Sequence, residues 1–305
     1  MNRLLLETPA KVNLFLRIQG KRPDGYHELL TEMVMISLTD RLEVRKNTGS
    51  EGDRLSLSGR PVDGDLSDNL VLRAVRLFRS AVSSGRDLEG DAPSSFHINL
   101  EKRIPVGAGL GGGSSNAAGT LWAINQLEGS PLSPGTLMEL AGSLGSDVPF
   151  FLGTAHAVGS GRGERLHPLP PFPVRTILLW NPGITLQTAE VYRRLEAPLS
   201  NSLTDSETTH RINSLLSKDE RQNDLEPVAV ALHPVVGVAK KLLGSAGASE
   251  TLMSGSGPSV FSFFSERAEA ERARTTILDR LGGWAGVFET LQSSPIRHRV
   301  SAENR

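Results

Sequence analysis

Residues Pro105 to Ala118 read Pro-Val-Gly-Ala-Gly-Leu-Gly-Gly-Gly-Ser-Ser-Asn-Ala-Ala. Glycine costs roughly 0.5–1 kcal/mol against alanine inside regular structure, so such a run needs a reason. It follows the alternating stretch Phe96-His97-Ile98-Asn99-Leu100 and precedes Ala117, Leu121 and Ile124, spaced as one face of a helix. A glycine-rich turn that opens a helix presents unpaired N–H groups at the positive end of the helix dipole, an arrangement that suits phosphate. The alternative is a flexible turn that lets the helix pack closely.

Known phosphate loops differ in the position of their cation and in the element that comes after the helix. Gly107 to Ser114 nearly fits Gly-x-x-x-x-Gly-Lys-Ser/Thr, but Gly113 stands where the lysine belongs. Gly107, Gly109 and Gly112 satisfy Gly-x-Gly-x-x-Gly, a weak pattern alone. A dinucleotide fold would return from the helix to a strand. Here Gly129-Ser130-Pro131 leads into a second helix instead. His-Arg-Asp and Asp-Phe-Gly, the protein-kinase signatures, are absent from the sequence. What is left is a phosphate loop without its own lysine.

Other residues offer complementary chemistry. Val12, Leu14, Leu16 and Ile18 alternate, which places Lys11, Asn13 and Phe15 on the opposite face of a strand. Lys11 and Asn13 there are either a solvated sheet face or a cation and an amide aimed into a site. Asp147 precedes the apolar run Val148-Pro149-Phe150-Phe151. Paired with Lys11 it would stay charged and could take a proton from a hydroxyl; otherwise it caps a helix or turn. Arg22-Pro23-Asp24-Gly25 is a turn that delivers Tyr26 and His27, a stacking face and a hydrogen-bonding ring, or else plain packing. Asp224, just before Glu226-Pro227, reads as a helix cap. Ser254-Gly255-Ser256-Gly257-Pro258 is a hairpin turn or the second wall of an anion site. The seven histidines show no metal-binding spacing, and no metal-ligand residues are assigned.

The elements that must position these residues are strand-rich at first. Leu4 to Glu7, Val12 to Ile18, Met33 to Ser37, Leu42 to Arg45 and Leu55 to Ser58 read as short strands. Asp68 is expected to cap a helix with a Leu70, Ala74, Leu77, Ala81 stripe, and Ser133-Pro134 to open another. The glycine- and proline-rich stretch Gly159 to Pro173 marks a change of domain, giving domains 1–158 and 159–305. Beyond it the expected order is a strand (Val174 to Trp180), helices (Thr188 to Leu195 and Pro227 to Leu243), two strands flanking the second glycine loop, a helix (Glu266 to Leu281) and a strand (Val287 to Leu291). That is the ferredoxin-like order, and the whole is α+β.

A length of 305 residues supplies ample core for one large or two smaller domains. A formal charge of −1 and a pI near 6.7 leave no electrostatic footprint for nucleic acid or a membrane surface. No cysteine is present, so disulfides and thiolate metal sites are excluded. The N-terminal apolar run is too short for a signal segment, and no run approaches the ~20 residues of a membrane span. A cytoplasmic protein is expected.

Three separated segments, Pro9-Ala10-Lys11-Val12-Asn13-Leu14, Pro105 to Ala118 and Met253 to Pro258, resemble the three signatures of the GHMP kinases, in that family's order. The resemblance spans nearly the whole chain. It implies a two-domain fold, an N-terminal domain of ribosomal-protein type and a C-terminal ferredoxin-like domain, with the site in the cleft between them. It implies ATP as co-substrate with Mg2+, held by Pro105, Val106, Gly107, Ala108, Gly109, Leu110, Gly111, Gly112, Gly113, Ser114 and Ser115, with Asn69 and Lys102 near the adenosine. Lys11 and Asp147 fall on the family's catalytic pair, Asp147 as general base. The segments Arg22 to His27, Gly145 to Phe151 and Asn223 to Glu226 extend the likeness to members that phosphorylate the 2-hydroxyl of a cytidine diphosphate-linked methylerythritol, in isoprenoid precursor synthesis. The implied substrate contacts are Asn13, Tyr26, His27, Thr188 and Tyr192. The implied partners are that small molecule and ATP, with the protein a monomer or homodimer.

Overall fold

The computed structural model of the chain describes residues 2–47, 52–62, 64–83, 94–195, 204–218 and 221–297. Its first half is built on two long antiparallel strands, β1 (Arg3–Lys21) and β2 (His27–Asn47). The four short strands expected in this stretch are thus two continuous ones. The breaks in the apolar pattern are register shifts, at Pro9/Ala10, Asn13/Phe15 and Ile18/Gly20. An extra residue in one strand bends it and re-aims its side chains, so one strand can feed several cores.

The first half of β2 pairs with β5 (His156–Ser160), and its second half with β4 (Ser95–Lys102). β3 (Arg54–Gly59) lies parallel to β4, and β6 (Arg165–Pro168) closes the far edge against β5. The sheet of six strands therefore runs β3-β4-β2-β5-β6, with β1 on the other edge of β2.

Four helices follow the chain beside this sheet: α1 (Leu70–Ser83), α2 (Gly112–Leu127), α3 (Pro134–Leu144) and α4 (Val148–Leu152). Their apolar residues share one core with Leu6, Met33 and Leu42 of the long strands. α2 lies closest. A Cβ on Gly119 would fall 2.6 Å from Thr8 Cγ2, so small residues there let the helix sink onto β1. Ser133 caps α3 as expected, its Oγ accepting from Thr136 N at 3.1 Å. Asp68 does not cap α1. It ends a 3-10 turn (Leu66–Asp68), and Asn69 Oδ1 accepts from Val71 N at 3.0 Å instead.

The second half has the ferredoxin-like order anticipated from the sequence. β7 (Thr176–Asn181), β8 (Glu250–Met253), β9 (Val260–Phe264) and β10 (Trp284–Glu289) form an antiparallel sheet in the order β10-β7-β9-β8. Between β7 and β8 come α5 (Thr188–Arg194), α6 (Asp205–Lys218), α7 (Glu226–Leu232) and α8 (Val235–Ser245); α9 (Arg267–Leu281) precedes β10. The single helix expected from Pro227 to Leu243 is broken into α7 and α8 with a 115° bend, Pro234 lying at the break. Proline supplies no N–H to continue the ladder. α6 was not expected, because its polar sequence shows only a weak apolar stripe, of which Ile212 is the buried anchor.

The two sheets share a core. Val12, Leu14, Val34 and Ile36 from β1 and β2 pack with Ile177, Leu179, Phe261 and Phe263 from β7 and β9. Pairing in the first sheet continues to Pro168 and the second begins at Thr176, with β5 spanning residues 158 and 159. Among the described residues no single helix is long and apolar enough to cross a membrane.

Candidate active site

A cavity of about 1070 Å³ opens where the β1–β2 turn, the glycine loop, α5 and the second glycine loop meet. Its floor is the first glycine loop, residues Pro105 to Ser114. Gly107, Gly109 and Gly111 have φ of +62°, +75° and +68°, so every second residue adopts the left-handed conformation that favours glycine. Alternation of that kind turns successive N–H groups to one side, an anion-binding concavity. The loop then runs into α2, whose first N–H groups have no partner within the helix. Ser115 alone of the residues singled out in this segment is withdrawn from the cavity: it is fully buried, and its Oγ has no hydrogen-bond partner.

The second glycine loop is the β8–β9 hairpin turn and also a wall of the same cavity, through Gly255 and Ser256. It docks on the first loop. Ser254 Oγ donates to Gly109 O at 2.9 Å and accepts from Asn13 N at 3.3 Å. Asn223 holds it from behind, Nδ2 donating to Met253 O at 2.9 Å and Gly255 O at 2.7 Å. Asp224 is not a helix cap. Its Oδ2 accepts from Ile18 N at 2.8 Å, beside the Ile18/Gly20 irregularity of β1, where that N–H needs an acceptor.

Lys11 and Asn13 point into the cavity from β1, as their strand face implies. Lys11 is 3% exposed, and its Nζ donates to Asn13 Oδ1 at 2.5 Å. Asp147 Oδ2 lies 3.5 Å from the same ammonium. Asn13 Nδ2 donates to Thr31 Oγ1 at 2.7 Å, and Thr31 Oγ1 donates to Phe15 O at 2.8 Å. That chain fixes which way the Asn13 amide faces. Asp147 occupies the N-cap position of α4, yet its side chain caps nothing. Its carboxylate is about one-third exposed, towards the cavity, and it is the one carboxylate among the described residues that line it.

The opposite end of the cavity carries the aromatic groups. The turn is held by Arg22, which pairs with Asp24 and with buried Glu28. Asp24 Oδ1 accepts from Tyr26 N at 3.1 Å. Tyr26 is 55% exposed, and the Arg162 guanidinium sits 4.7 Å from its ring centroid. His27 is buried, its Nε2 has no partner, and its ring lies 5.2 Å from that of Tyr192. Burial, and then the charge of Lys21, hold the His27 pKa below its ordinary value, so the ring is neutral at neutral pH. The half-buried Tyr192 phenol is pushed up, first by burial and then by the negative charge of Asp147. Thr188 Oγ1 lies 2.8 Å from Ser256 Oγ, tying α5 to the second loop.

Asn69 and Lys102 also line the cavity, but each is engaged elsewhere. Asn69 Oδ1 caps α1, and the Lys102 ammonium is ion-paired with Asp40 and donates to Asn116 Oδ1 at 2.9 Å. Sequence reasoning missed Thr31, Asp40, Asn116 and Arg162. Thr31 and Asp40 lie inside strands, where nothing local marks a side chain as the partner of a distant one. Arg162 had a signal, Gly161-Arg162-Gly163, a glycine-flanked turn.

The chain matches the family descriptions "GHMP kinases N terminal domain" over residues 69–154 and "GHMP kinases C terminal" over residues 205–281. The chain belongs to the GHMP kinases. Among its relatives in that family, the 4-diphosphocytidyl-2-C-methyl-D-erythritol kinase of Solibacter usitatus (strain Ellin6076) is 41% identical over 88% of this chain and 83% of its own. The protein of the same name from Pelobacter propionicus is 37% identical over 95% of this chain and its full length. A crystal structure of 4-(cytidine 5'-diphospho)-2C-methyl-D-erythritol kinase superposes with a TM-score of 0.72 and 35% identity, covering 94% of this chain and 99% of that one. As a GHMP kinase the protein uses ATP as co-substrate.

Magnesium commonly accompanies ATP and takes one or two protein oxygens besides phosphates and water. No cluster of three or more His, Cys, Asp or Glu residues exists among the described residues. The oxygen of this GHMP kinase that fits so sparse a ligand set is the Asp147 carboxylate, turned to the cavity beside the loop; the buried Ser115 hydroxyl, withdrawn from the cavity, does not.

Proposed function

We propose that the protein transfers the γ-phosphoryl group of ATP to the 2-hydroxyl of 4-diphosphocytidyl-2-C-methyl-D-erythritol, a step of isoprenoid precursor synthesis. The observation that carries the reading is Asp147, the one carboxylate among the described residues that line the cavity, 3.5 Å from the Lys11 ammonium and beside a glycine loop that opens a helix.

In this reading the triphosphate lies along residues 105–115, against the N–H groups of the loop and the first turn of α2. The substrate hydroxyl sits between Asp147 and the γ-phosphorus. Its oxygen forms the new P–O bond as the bond to the β-phosphate oxygen breaks, and ADP leaves. Asp147 accepts the hydroxyl proton. Lys11 orients the hydroxyl and, with the loop, stabilises charge on the transferring group. Asn13 holds that ammonium in place through the 2.5 Å bond to its Oδ1. Asp147 would hold magnesium, which would supply charge neutralisation at the phosphates.

The cytidine end is read by the other group of residues. Tyr26, exposed on the turn, offers its ring for stacking, and Tyr192 bounds the other side. His27 Nε2, buried without a partner, is the group left to meet a base edge. A mevalonate- or homoserine-type substrate would leave it unmet. The deciding experiment is an ATP-consumption assay across the cytidine substrate, homoserine and mevalonate. Turnover confined to the cytidine substrate is expected; turnover with only one of the others overturns the reading.

A further inference from the structure

Asp40, near the middle of β2, is fully buried, and a buried carboxylate requires partners. It has four donors. Arg103 N and Ile104 N reach Oδ1 at 2.6 and 2.8 Å, Asn116 Nδ2 reaches Oδ2 at 3.0 Å, and the Lys102 ammonium binds Oδ2 as well. Every one of these donors flanks the first glycine loop. Lys102, Arg103 and Ile104 lead into Pro105, and Asn116 stands in α2 directly after Ser115. Asn116 Nδ2 also donates to Thr8 Oγ1 at 2.8 Å, which extends the network to β1. The entry and exit of residues 105–115 thus meet on one side chain. The Lys102 ammonium is held beneath the start of α2, 3.3 Å from where a Cβ on Gly112 would lie.

We infer that Asp40 is a positioning residue for nucleotide binding: by joining both ends of the glycine loop and fixing Lys102 beneath it, it holds the loop in its phosphate-binding shape. A loop whose left-handed glycines are each free to relax needs such a tie, since small misplacement of positioning groups costs large factors in binding and rate. The inference rests on the loop being the ATP site, and the test separates the two. Calorimetric titration with ATP, and KM for ATP and for the cytidine substrate, are measured for Asp40→Asn, Asn116→Ser and Gly113→Asp. Asn keeps the size of Asp40 but turns an NH2 group toward the Lys102 ammonium or toward the backbone donors. Asp40→Asn is expected to weaken ATP about ten- to a hundredfold, with KM for the cytidine substrate within about twofold of the wild type. Asn116→Ser, which keeps Asp40 on its backbone donors, should shift ATP affinity in the same direction by less, and it carries the test if Asp40→Asn fails to fold. Gly113 lines the cavity with room for a side chain, the nearest atom to an added Cβ being Leu70 Cδ1 at 3.6 Å. Gly113→Asp should therefore fold and weaken ATP, because its carboxylate would stand against the phosphates in both charge and volume. Unchanged ATP affinity in Gly113→Asp overturns the loop reading and the inference with it. Weakened ATP in Gly113→Asp, with the other two variants binding ATP like the wild type or losing both substrates in parallel, overturns the role of Asp40 only.

Discussion

Lys11 has an acceptor on each side, and the two differ in what removing them would do. Asn13 Oδ1 keeps the ammonium hydrogen-bonded whatever happens at position 147, while Asp147 faces the cavity and holds nothing else in place. Asp147→Asn should therefore fold normally and bind metal-free ATP with little change, while single-turnover phosphoryl transfer slows by on the order of 10²–10⁴. Near-normal turnover would remove Asp147 from the mechanism. His27 leads to a pH prediction. Its pKa lies below the ordinary 6.5, so the unfolded chain takes up a proton that the folded one refuses in the window just under that value. The stability it contributes is complete above pH 6.5 and falls as pH drops through the window; the neutral ring likewise persists down to it. KM for the cytidine substrate should stay flat from pH 8 to about 6.5 and rise only below. A rise centred at or above 6.5 that disappears in His27→Asn would contradict the assignment. Single residues of this kind were legible when their neighbours made them odd: Lys11 on an apolar strand, Tyr26 and His27 at the exit of a turn, Asp147 before an apolar run. Asp40 and Thr31 were not, because their partners at positions 102–104, 116 and 13 are brought to them by sheet pairing and packing.

At the scale of elements, the two glycine loops act as one structure, and Gly109 is where they touch. Its φ is +75°, and an added Cβ would lie 2.1 Å from Ser254 O, a backbone atom that cannot swing aside. Gly109→Ala should cost on the order of 1–3 kcal/mol of stability and weaken ATP, since the loops must part to admit the methyl group. Gly129→Ala is the comparison. That glycine also has a positive φ, +80°, but an added Cβ meets nothing within 4 Å. It should lose only the conformational part, about 1 kcal/mol, and bind ATP as before. Urea denaturation and nucleotide titration of both variants check the contrast; equal ATP affinity in the two would count against docking as the reason for the glycine. The sequence showed both loops and the helix after the first. It could not show that they meet, since residues 109 and 254, far apart in the chain, are brought within hydrogen-bond reach by the packing of β1 against the second sheet. Strand continuity was hidden for a similar reason: register shifts interrupt the apolar alternation that marks a strand, while the backbone pairing continues through them.

For the whole molecule, the question is whether two family domains behave as two folding units. Leu14, fully buried, belongs to β1 yet packs in a core with Ile177, Leu179, Phe261 and Phe263 of the second sheet. Leu16, on the same strand, belongs with Trp180 and Leu225. In the other direction Ile296, beyond β10, is buried with Leu4 and Phe150 of the first half. Each half therefore completes a core of the other, and neither can lose its fold without exposing apolar surface in its partner. Tryptophans report the halves separately: Trp122 packs against the first core, and Trp180 is buried in the second. In two variants, one keeping only Trp122 and the other only Trp180 of the three tryptophans, urea unfolding should give coincident transitions. Leu14→Ala should lower the stability seen by both probes equally, by about 2–5 kcal/mol. Two separated transitions, or a loss felt only at Trp180, would mean that the halves fold independently. Coincidence would also explain why the cavity can lie between them: Lys11 and Asn13 on β1 are set against Ser254 on the β8–β9 turn by the same shared core, so the distance between β1 and the second glycine loop is fixed by the stability of the molecule as a whole.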